Sequence, residues 1–141
     1  MKSETSTAWI RAWDVGHSSR SLDTFLKKLE QHGIEAVIDV RTYPTSRFAH
    51  FNREKLKGAL EAIGLIYLDF GDSLGGRSGN IPQERFERSL KNIVQMARMM
   101  NVCLMCSEGN PDDCHRSSIL QPALSKYEVC IEHILYTKEE R

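Results

Sequence analysis

The stretch "AVIDV", residues 36–40, is a short and nearly unbroken apolar run. Such runs are typical of a strand that is buried on both faces, as strands of parallel sheets are. Comparable runs predict further strands over residues 8–15, 65–70, 102–106 and 129–134, and segments of helical period separate them. Alternation of strands and helices predicts a single-domain, three-layer α/β/α sandwich with a mostly parallel sheet of about five strands.

Capping residues place the helices between these strands. Ser21 is a good N-cap and Gly33 stands where a left-handed C-cap belongs, which brackets the first helix. Asn52 and Gly64 bracket a second helix in the same way. Pro82 opens a long helix over about residues 83–100, because its fixed φ suits a first helical turn. The glycine-rich stretch "GDSLGGRSGN", residues 71–80, is expected to be a loop.

Length and charge limit the classes of function. The chain has 141 residues, and its 19 basic residues equal its 19 acidic ones, so no global field attracts nucleic acid or an anionic membrane. Residues 1–7 are polar, and no apolar run approaches the roughly 20 residues of a membrane span. We therefore expect one domain over residues 1–141, frayed at 1–7 and 137–141, in a cytoplasmic protein with reduced thiols. Nothing in the sequence specifies an oligomeric state.

The chemically dense segments follow the predicted strands. They are "GHSSR" at 16–20, "RTYPTSRF" at 41–48, "GDSLGGRSGN" at 71–80 and "SEGNPDDCHR" at 107–116. In open α/β sheets, ligands bind beyond the carboxyl ends of the strands. The sequence therefore predicts that these segments meet at one edge of the sheet and form one site.

The order of these motifs resembles the bacterial and archaeal domain of unknown function family 488. The pattern is Gly-His-Ser, Asp-Val-Arg followed by Pro and Ser-Arg-Phe, Leu-Gly-Gly, and Cys-x-Glu followed by Cys-His-Arg. Its counterparts here lie at 16–18, 39–41, 44, 46–48, 74–76, 106–108 and 114–116. The chain departs from the pattern at Ser19, where Asn or Thr is common, and at Ser107, where Ala is usual. The resemblance implies an α/β domain with a shared pocket, and it implies no particular reaction.

Arginines dominate the predicted site and indicate an anionic ligand. Guanidinium groups bind phosphate or carboxylate in a planar, bidentate manner, and helix N-termini add backbone N–H donors. An aromatic side chain among them favours a nucleotide, and paired glycines allow close backbone approach. The candidate ligand-binding residues are Ser18, Arg20, Asp39, Arg41, Arg47, Phe48, Gly75, Gly76 and Arg116. The alternative is that the arginines pair with nearby acids on a solvated rim, with Asp39 holding Arg41.

Cysteines and histidines supply the candidate catalytic groups, which are His17, Cys106, Glu108, Cys114 and His115. Cys114 falls in a predicted first helical turn, where the helix dipole favours a thiolate, and His17 or His115 would move protons. A free cysteine also packs as a small hydrophobe, which is the alternative for Cys106. His32, His50 and His133 lack reactive neighbours in the sequence and are interpreted as surface or structural residues.

Zinc is a weaker hypothesis. The spacing between Cys106 and Cys114 is wider than the usual spacing of a zinc knuckle. In "CLMC", residues 103–106, strand alternation would point the two thiols apart.

These features lead to one hypothesis with two alternatives. The leading hypothesis is a small cytoplasmic hydrolase or transferase that binds a phosphate-bearing ligand, such as a nucleotide or a nucleic-acid end. The sequence requires no cofactor for it. The alternatives are a non-catalytic nucleotide or nucleic-acid binding or sensor module, and a Cys/His metal or redox site.

Overall fold

A five-stranded sheet in which every pairing is parallel forms the centre of the protein. The computed structural model describes residues 9–16, 21–41, 51–74, 83–106 and 120–137. The strands are β1 (Ile10–Gly16), β2 (Ala36–Asp39), β3 (Ile66–Asp69), β4 (Val102–Cys106) and β5 (Val129–His133). They lie in the order β3-β2-β4-β1-β5.

Helices connect the strands within the described ranges. They are α1 (Leu22–Gln31), α2 (Arg53–Ala62), α3 (Gly71–Leu74), α4 (Gln83–Met99) and α5 (Gln121–Ser125). Ser21 caps α1 as predicted, and its side chain accepts a hydrogen bond from the Thr24 N–H at 3.1 Å. Asn52 occupies the predicted N-cap position of α2, but its side chain makes no capping hydrogen bond there. Gly33 and Gly64 follow α1 and α2 with φ of 66° and 83°, a conformation that glycine adopts without strain.

Two hydrophobic cores cover the two faces of the sheet. On one face, α1 and α2 bury Phe25, Leu29 and Leu56 against β1, β2 and β4. On the other face, α4 and α5 bury residues such as Leu90 and Leu124 against the same strands and β5. Every residue of β2 and β4 is buried, as the apolar runs predict. The predicted α/β fold class, with helices on both faces of a parallel sheet, is confirmed.

The structure differs from the sequence prediction at Gly71–Leu74. This stretch is a helical turn and not a loop, because the Asp69 carboxylate accepts a hydrogen bond from the Gly71 N–H at 2.9 Å. A carboxylate at this position satisfies a donor that the start of a helix leaves open. The Phe70 carbonyl then accepts from the Leu74 N–H at 2.8 Å and completes the turn.

Within the described ranges, no helix has both the length and the apolar character that a membrane crossing requires.

Candidate functional site

The carboxyl ends of three neighbouring strands lie side by side at the centre of the sheet. β4 lies between β2 and β1, with Asp39 opposite Met105 and Gly16 opposite Cys106. The three strand ends are therefore almost level. The segments 17–20, 42–50 and 107–119, which hold most of the candidate residues, follow directly from this edge.

The connections from these strands diverge to opposite faces of the sheet. The helices that follow β1 and β2 pack on one face, whereas α5, the next described helix after β4, packs on the other. β4 is thus flanked on both sides by strands whose connections leave in the opposite direction. In α/β sheets such a divergence opens a crevice beyond the strand ends. The crevice predicted by this topology lies outside Cys106.

A buried ion pair occupies the end of β2. Asp39 is fully buried and Arg41 is 6% exposed. The Asp39 carboxylate accepts hydrogen bonds from Arg41 Nε at 2.9 Å, from Arg41 Nη2 at 2.7 Å and from the Arg41 backbone N–H at 3.0 Å. Such a bidentate, charge-assisted arrangement is among the stronger interactions in proteins. Asp39 therefore holds Arg41, which is one of the two roles that the sequence allowed.

Two more groups complete the cluster around this pair. The Tyr67 hydroxyl donates to Asp39 Oδ2 at 2.6 Å, and Arg41 Nη1 donates to the Phe51 carbonyl at 2.7 Å. Burial, the hydrogen bond to Asp39 and the Asp39 charge all raise the pKa of Tyr67 well above its ordinary value. Burial by itself lowers the pKa of Arg41, but the hydrogen bond and charge of Asp39 outweigh it and leave that pKa raised. Tyr67 is thus stable as the neutral phenol, and Arg41 is stable as the charged guanidinium.

Arg41 joins two points of the chain that flank the segment 42–50. Its own backbone follows β2, and its guanidinium reaches Phe51, just before α2. Phe51 is fully buried and packs edge to face against Phe25 of α1, with ring centroids 5.3 Å apart. The side chain therefore fixes both ends of the segment that contains Arg47 and Phe48.

Gly71 brings the start of α3 against this cluster. A Cβ at position 71 would lie 1.9 Å from the Arg41 carbonyl oxygen, so no larger residue fits without a shift of the backbone. Next to it, the Asp69 carboxylate at the end of β3 forms a salt bridge with Arg53 at 2.6 Å. The end of β3, the start of α3 and the residues after β2 are therefore held together.

Cys106 is 3% exposed and packs in the core on the α4 and α5 face. Cys103, fully buried, packs in the core on the opposite face. The two thiols of "CLMC" therefore point to opposite sides of the sheet and cannot share a metal ion. In the described part of the chain, no three His, Cys, Asp or Glu side chains are grouped to hold a metal.

A pair that the sequence analysis missed lies at the ends of β1 and β5. Asp14 and His133 are directly opposite each other in the sheet, and His133 Nδ1 lies 2.7 Å from Asp14 Oδ1. From the sequence alone, His133 is expected to be a surface or structural residue. The available signal was Asp14, an acid inside an apolar strand, but its partner lies at the other end of the chain.

The other predicted site residues lie outside the described residues, and their roles stay predictions. They are His17, Ser18, Arg20, Arg47, Phe48, Gly75, Gly76, Glu108, Cys114, His115 and Arg116. The zinc hypothesis also depends on this set, since Cys114, His115 and His17, the candidate ligands besides Cys106, are among them.

Comparison with known proteins gives one family and no individual relative. No curated protein and no solved structure matched the chain. The family described as "Domain of unknown function DUF488" matches residues 21–83 and 79–122, which together cover most of the chain. These matches include β2, α2, β3, α4 and β4, and with them the Asp39 cluster and the end of the central strand. The chain thus belongs to the DUF488 family.

Proposed function

We propose that this protein is a small cytoplasmic enzyme, a hydrolase or transferase, that binds a phosphate-bearing ligand at the carboxyl edge of its sheet. The ligand class is a nucleotide or a nucleic-acid end. Arg20, Arg47 and Arg116 contact the phosphate, Ser18, Gly75 and Gly76 line it, and Phe48 stacks on the base. His17, Glu108, Cys114 and His115 are the groups available for chemistry. Cys106, the fifth candidate from the sequence, is buried in the core on the α4 and α5 face and packs there as a small hydrophobe.

One observation supports this proposal above the others: the level, adjacent ends of β2, β4 and β1. Three motif-bearing segments begin there, and the following helices diverge to opposite faces. In open α/β proteins, ligands bind in the crevice beyond the carboxyl ends of strands whose connections diverge in this way. Arginine is the residue best suited to bidentate phosphate binding, and each of the three segments contains one.

Arg41 has a different part in the proposal from the other arginines. Its guanidinium is bonded to Asp39 and to the Phe51 carbonyl, so it positions the segment 42–50. Arg47, within that segment, is then the residue that meets the phosphate. Substitution of Arg41 would lower ligand affinity through stability, whereas substitution of Arg47 would lower it directly.

Calorimetric titration with inorganic phosphate and with adenosine monophosphate tests ligand binding. Loss of a charge-assisted hydrogen bond costs about 1.5 to 3 kcal/mol, so Arg47→Ala and Arg116→Ala should each weaken binding by about tenfold or more. Arg98→Ala is the matched control, because Arg98 is exposed in the last turn of α4, which leads to the amino end of β4. Equal affinities in all of these proteins, or no binding by the wild type, would refute the proposal.

Turnover separates the enzyme from a binding module that uses the same edge. An enzyme should release 4-nitrophenol from 4-nitrophenyl phosphate or from bis(4-nitrophenyl) phosphate, and His17→Ala or Cys114→Ser should abolish the release. A binding module should bind phosphate without turnover, and its affinity for an oligonucleotide should fall steeply with salt.

A further inference from the structure

Asp14 and His133 form a pair beside the proposed ligand edge, in which Asp14 is buried and His133 is partly exposed. The Asp14 side chain is 2% exposed and the His133 side chain is 30% exposed, so the carboxylate is internal while the ring reaches solvent. His133 is the last residue of β5, and Asp14 lies two positions before the end of β1. Because a strand rises about 3.3 Å per residue, the pair lies within about 7 Å of the carboxyl ends of these strands.

A second contact ties this corner to the site. The Tyr136 hydroxyl, three residues after His133, donates to the Gly16 carbonyl at 2.8 Å. Gly16 is the last residue of β1 and immediately precedes His17. The chain that leaves β5 is therefore fixed against the point where the first motif segment begins.

The pair also shares a face with the end of the central strand. Alternation along β1 and β5 places Asp14 with Ala12, and His133 with Ile131, on the side covered by α4 and α5. Cys106 lies on this side at the end of β4, opposite Gly16. Asp14, His133 and Cys106 thus come from three adjacent strands on one face of one edge.

The contact between His133 Nδ1 and Asp14 Oδ1 favours one tautomer of the neutral imidazole. An ionised carboxylate only accepts hydrogen bonds, so His133 Nδ1 keeps its proton toward Asp14. In the neutral ring Nε2 then has the free lone pair, and it lies on the side of the ring away from Asp14.

We propose that His133 is a further catalytic residue, which moves a proton at the phosphate-bearing ligand, and that Asp14 is its positioning residue. This inference rests on the proposed function and adds a proton-transfer group to it. In the step, Nε2 accepts the proton of the attacking water or hydroxyl as its oxygen bonds to phosphorus. The imidazolium then returns that proton to the departing oxygen, so the ring ends neutral.

Nitrogen-15 NMR of the histidine rings, with inorganic phosphate as the probe, tests the placement. In the wild type, His133 should show the Nδ1–H tautomer at alkaline pH, and its ring signals should shift when phosphate is added. His32 is the matched control, since its Nδ1 lies 2.9 Å from the Lys28 carbonyl and it follows α1, near the amino end of β2. The His32 ring should not respond to phosphate.

The outcomes distinguish this inference from the proposed function. If phosphate shifts the backbone amides at Gly16 and Cys106 but leaves the His133 ring unchanged, the role of His133 is refuted while ligand binding stands. If phosphate shifts no signal, the proposed function is refuted, and this inference with it. A His133 ring in the Nε2–H tautomer would also overturn the inference.

Turnover of 4-nitrophenyl phosphate or bis(4-nitrophenyl) phosphate supplies the catalytic readout. Loss of a general acid–base lowers rates by about 10²- to 10⁴-fold, so His133→Gln should reduce kcat by this factor with KM nearly unchanged. Asp14→Asn should reduce kcat and alter its pH profile while phosphate affinity is retained. His32→Gln should change neither constant. An unchanged kcat in His133→Gln, or a wild type that hydrolyses neither ester, would overturn the proton-transfer role.

Discussion

Asp39 and Arg41, two candidate residues from the sequence, form a buried structural pair. A buried ion pair loses the hydration of both charges, and the mutual attraction offsets this only when further hydrogen bonds satisfy both groups. Here the Tyr67 hydroxyl, the Arg41 N–H and the Phe51 carbonyl supply those bonds. The sequence could indicate that Asp39 pairs with Arg41, because the two residues lie only two positions apart at the end of a predicted strand. It could not indicate Tyr67 or Phe51, which reach the pair from other elements.

Arg41→Ala should be strongly destabilising, because it leaves the Asp39 carboxylate buried without its cation. Removal of one partner of a buried pair costs about 3 to 5 kcal/mol, measured as the free energy of unfolding in urea. The control is Arg88→Ala, which breaks the exposed salt bridge to Glu84 one helical turn away. That change should cost less than about 0.5 kcal/mol. Similar losses in the two variants would show that the Arg41 pair is not buried in solution.

Tyr67 makes stability depend on pH in the alkaline range. Its pKa in the folded protein lies above that of the unfolded chain, which is about 10, so folding retains a proton that the unfolded chain releases. The stabilisation is complete below pH 10 and is lost as pH rises above it, by up to about 1.4 kcal/mol per pH unit.

Urea unfolding at pH 9, 10 and 11 measures this effect. Tyr67→Phe should be less stable than the wild type at pH 9, because it lacks the hydrogen bond to Asp39, and the difference should shrink toward pH 11. Tyr127, whose pKa is raised by its hydrogen bond to Glu87, is present in both proteins and cancels. A difference that stays constant with pH would refute the assignment to Tyr67.

Most helices and strands can be predicted from neighbouring residues in the sequence, but the short helix α3 cannot. Caps such as Ser21 and Gly33, and buried runs such as β2, specify their elements through neighbouring residues, and the predictions there are confirmed. The sequence predicts a loop where the short helix α3 lies, because the glycines near it indicate a turn. Its cause is the Asp69 side chain, which caps it, together with the close approach of Gly71 to Arg41.

Gly71 and Gly58 offer a matched pair of glycine substitutions. Gly71→Ala should cost about 1 to 3 kcal/mol, because the added Cβ overlaps the Arg41 carbonyl and displaces either α3 or the residues after β2. Gly58 is exposed within α2, and a Cβ there meets no atom within 4 Å. Gly58→Ala should therefore raise the free energy of unfolding by about 0.5 to 1 kcal/mol. Thermal unfolding followed by circular dichroism measures both, and a stabilising Gly71→Ala would contradict the packing described.

In the described part of the chain, helices cover the central strands of the sheet on both faces, and the order of the strands could not be deduced from local patterns. The sequence predicts the strands and their common edge, but not that β1 lies between β4 and β5. That arrangement depends on contacts between distant segments, and so does the Asp14–His133 pair. The candidate site could be predicted as a set of segments at one edge, whereas the partners within it required the three-dimensional structure.

Cysteine reactivity measures how well the helices exclude solvent from the two faces of β4. Cys130 on β5 is exposed, whereas Cys103 and Cys106 are buried on opposite faces of β4. Iodoacetamide should label Cys130 quickly in the native protein, and it should label Cys103 and Cys106 only at the rate of unfolding, which mass spectrometry of the peptides resolves. Arg41→Ala should speed labelling of Cys103 and leave Cys130 unchanged. Rapid labelling of Cys103 in the native wild type would contradict its burial.

The position of β1 also determines when the chain can fold. β1 is synthesised first among the strands, yet both of its neighbours, β4 and β5, come from the last part of the described chain. Of all the neighbouring pairs in the sheet, β2 with β3 is the one whose strands are consecutive in the chain. Pairings between distant segments close large loops and slow folding. A nascent chain that has not yet exposed residues 102–133 leaves β1 without either neighbour, so the sheet is completed only after these residues have left the ribosome.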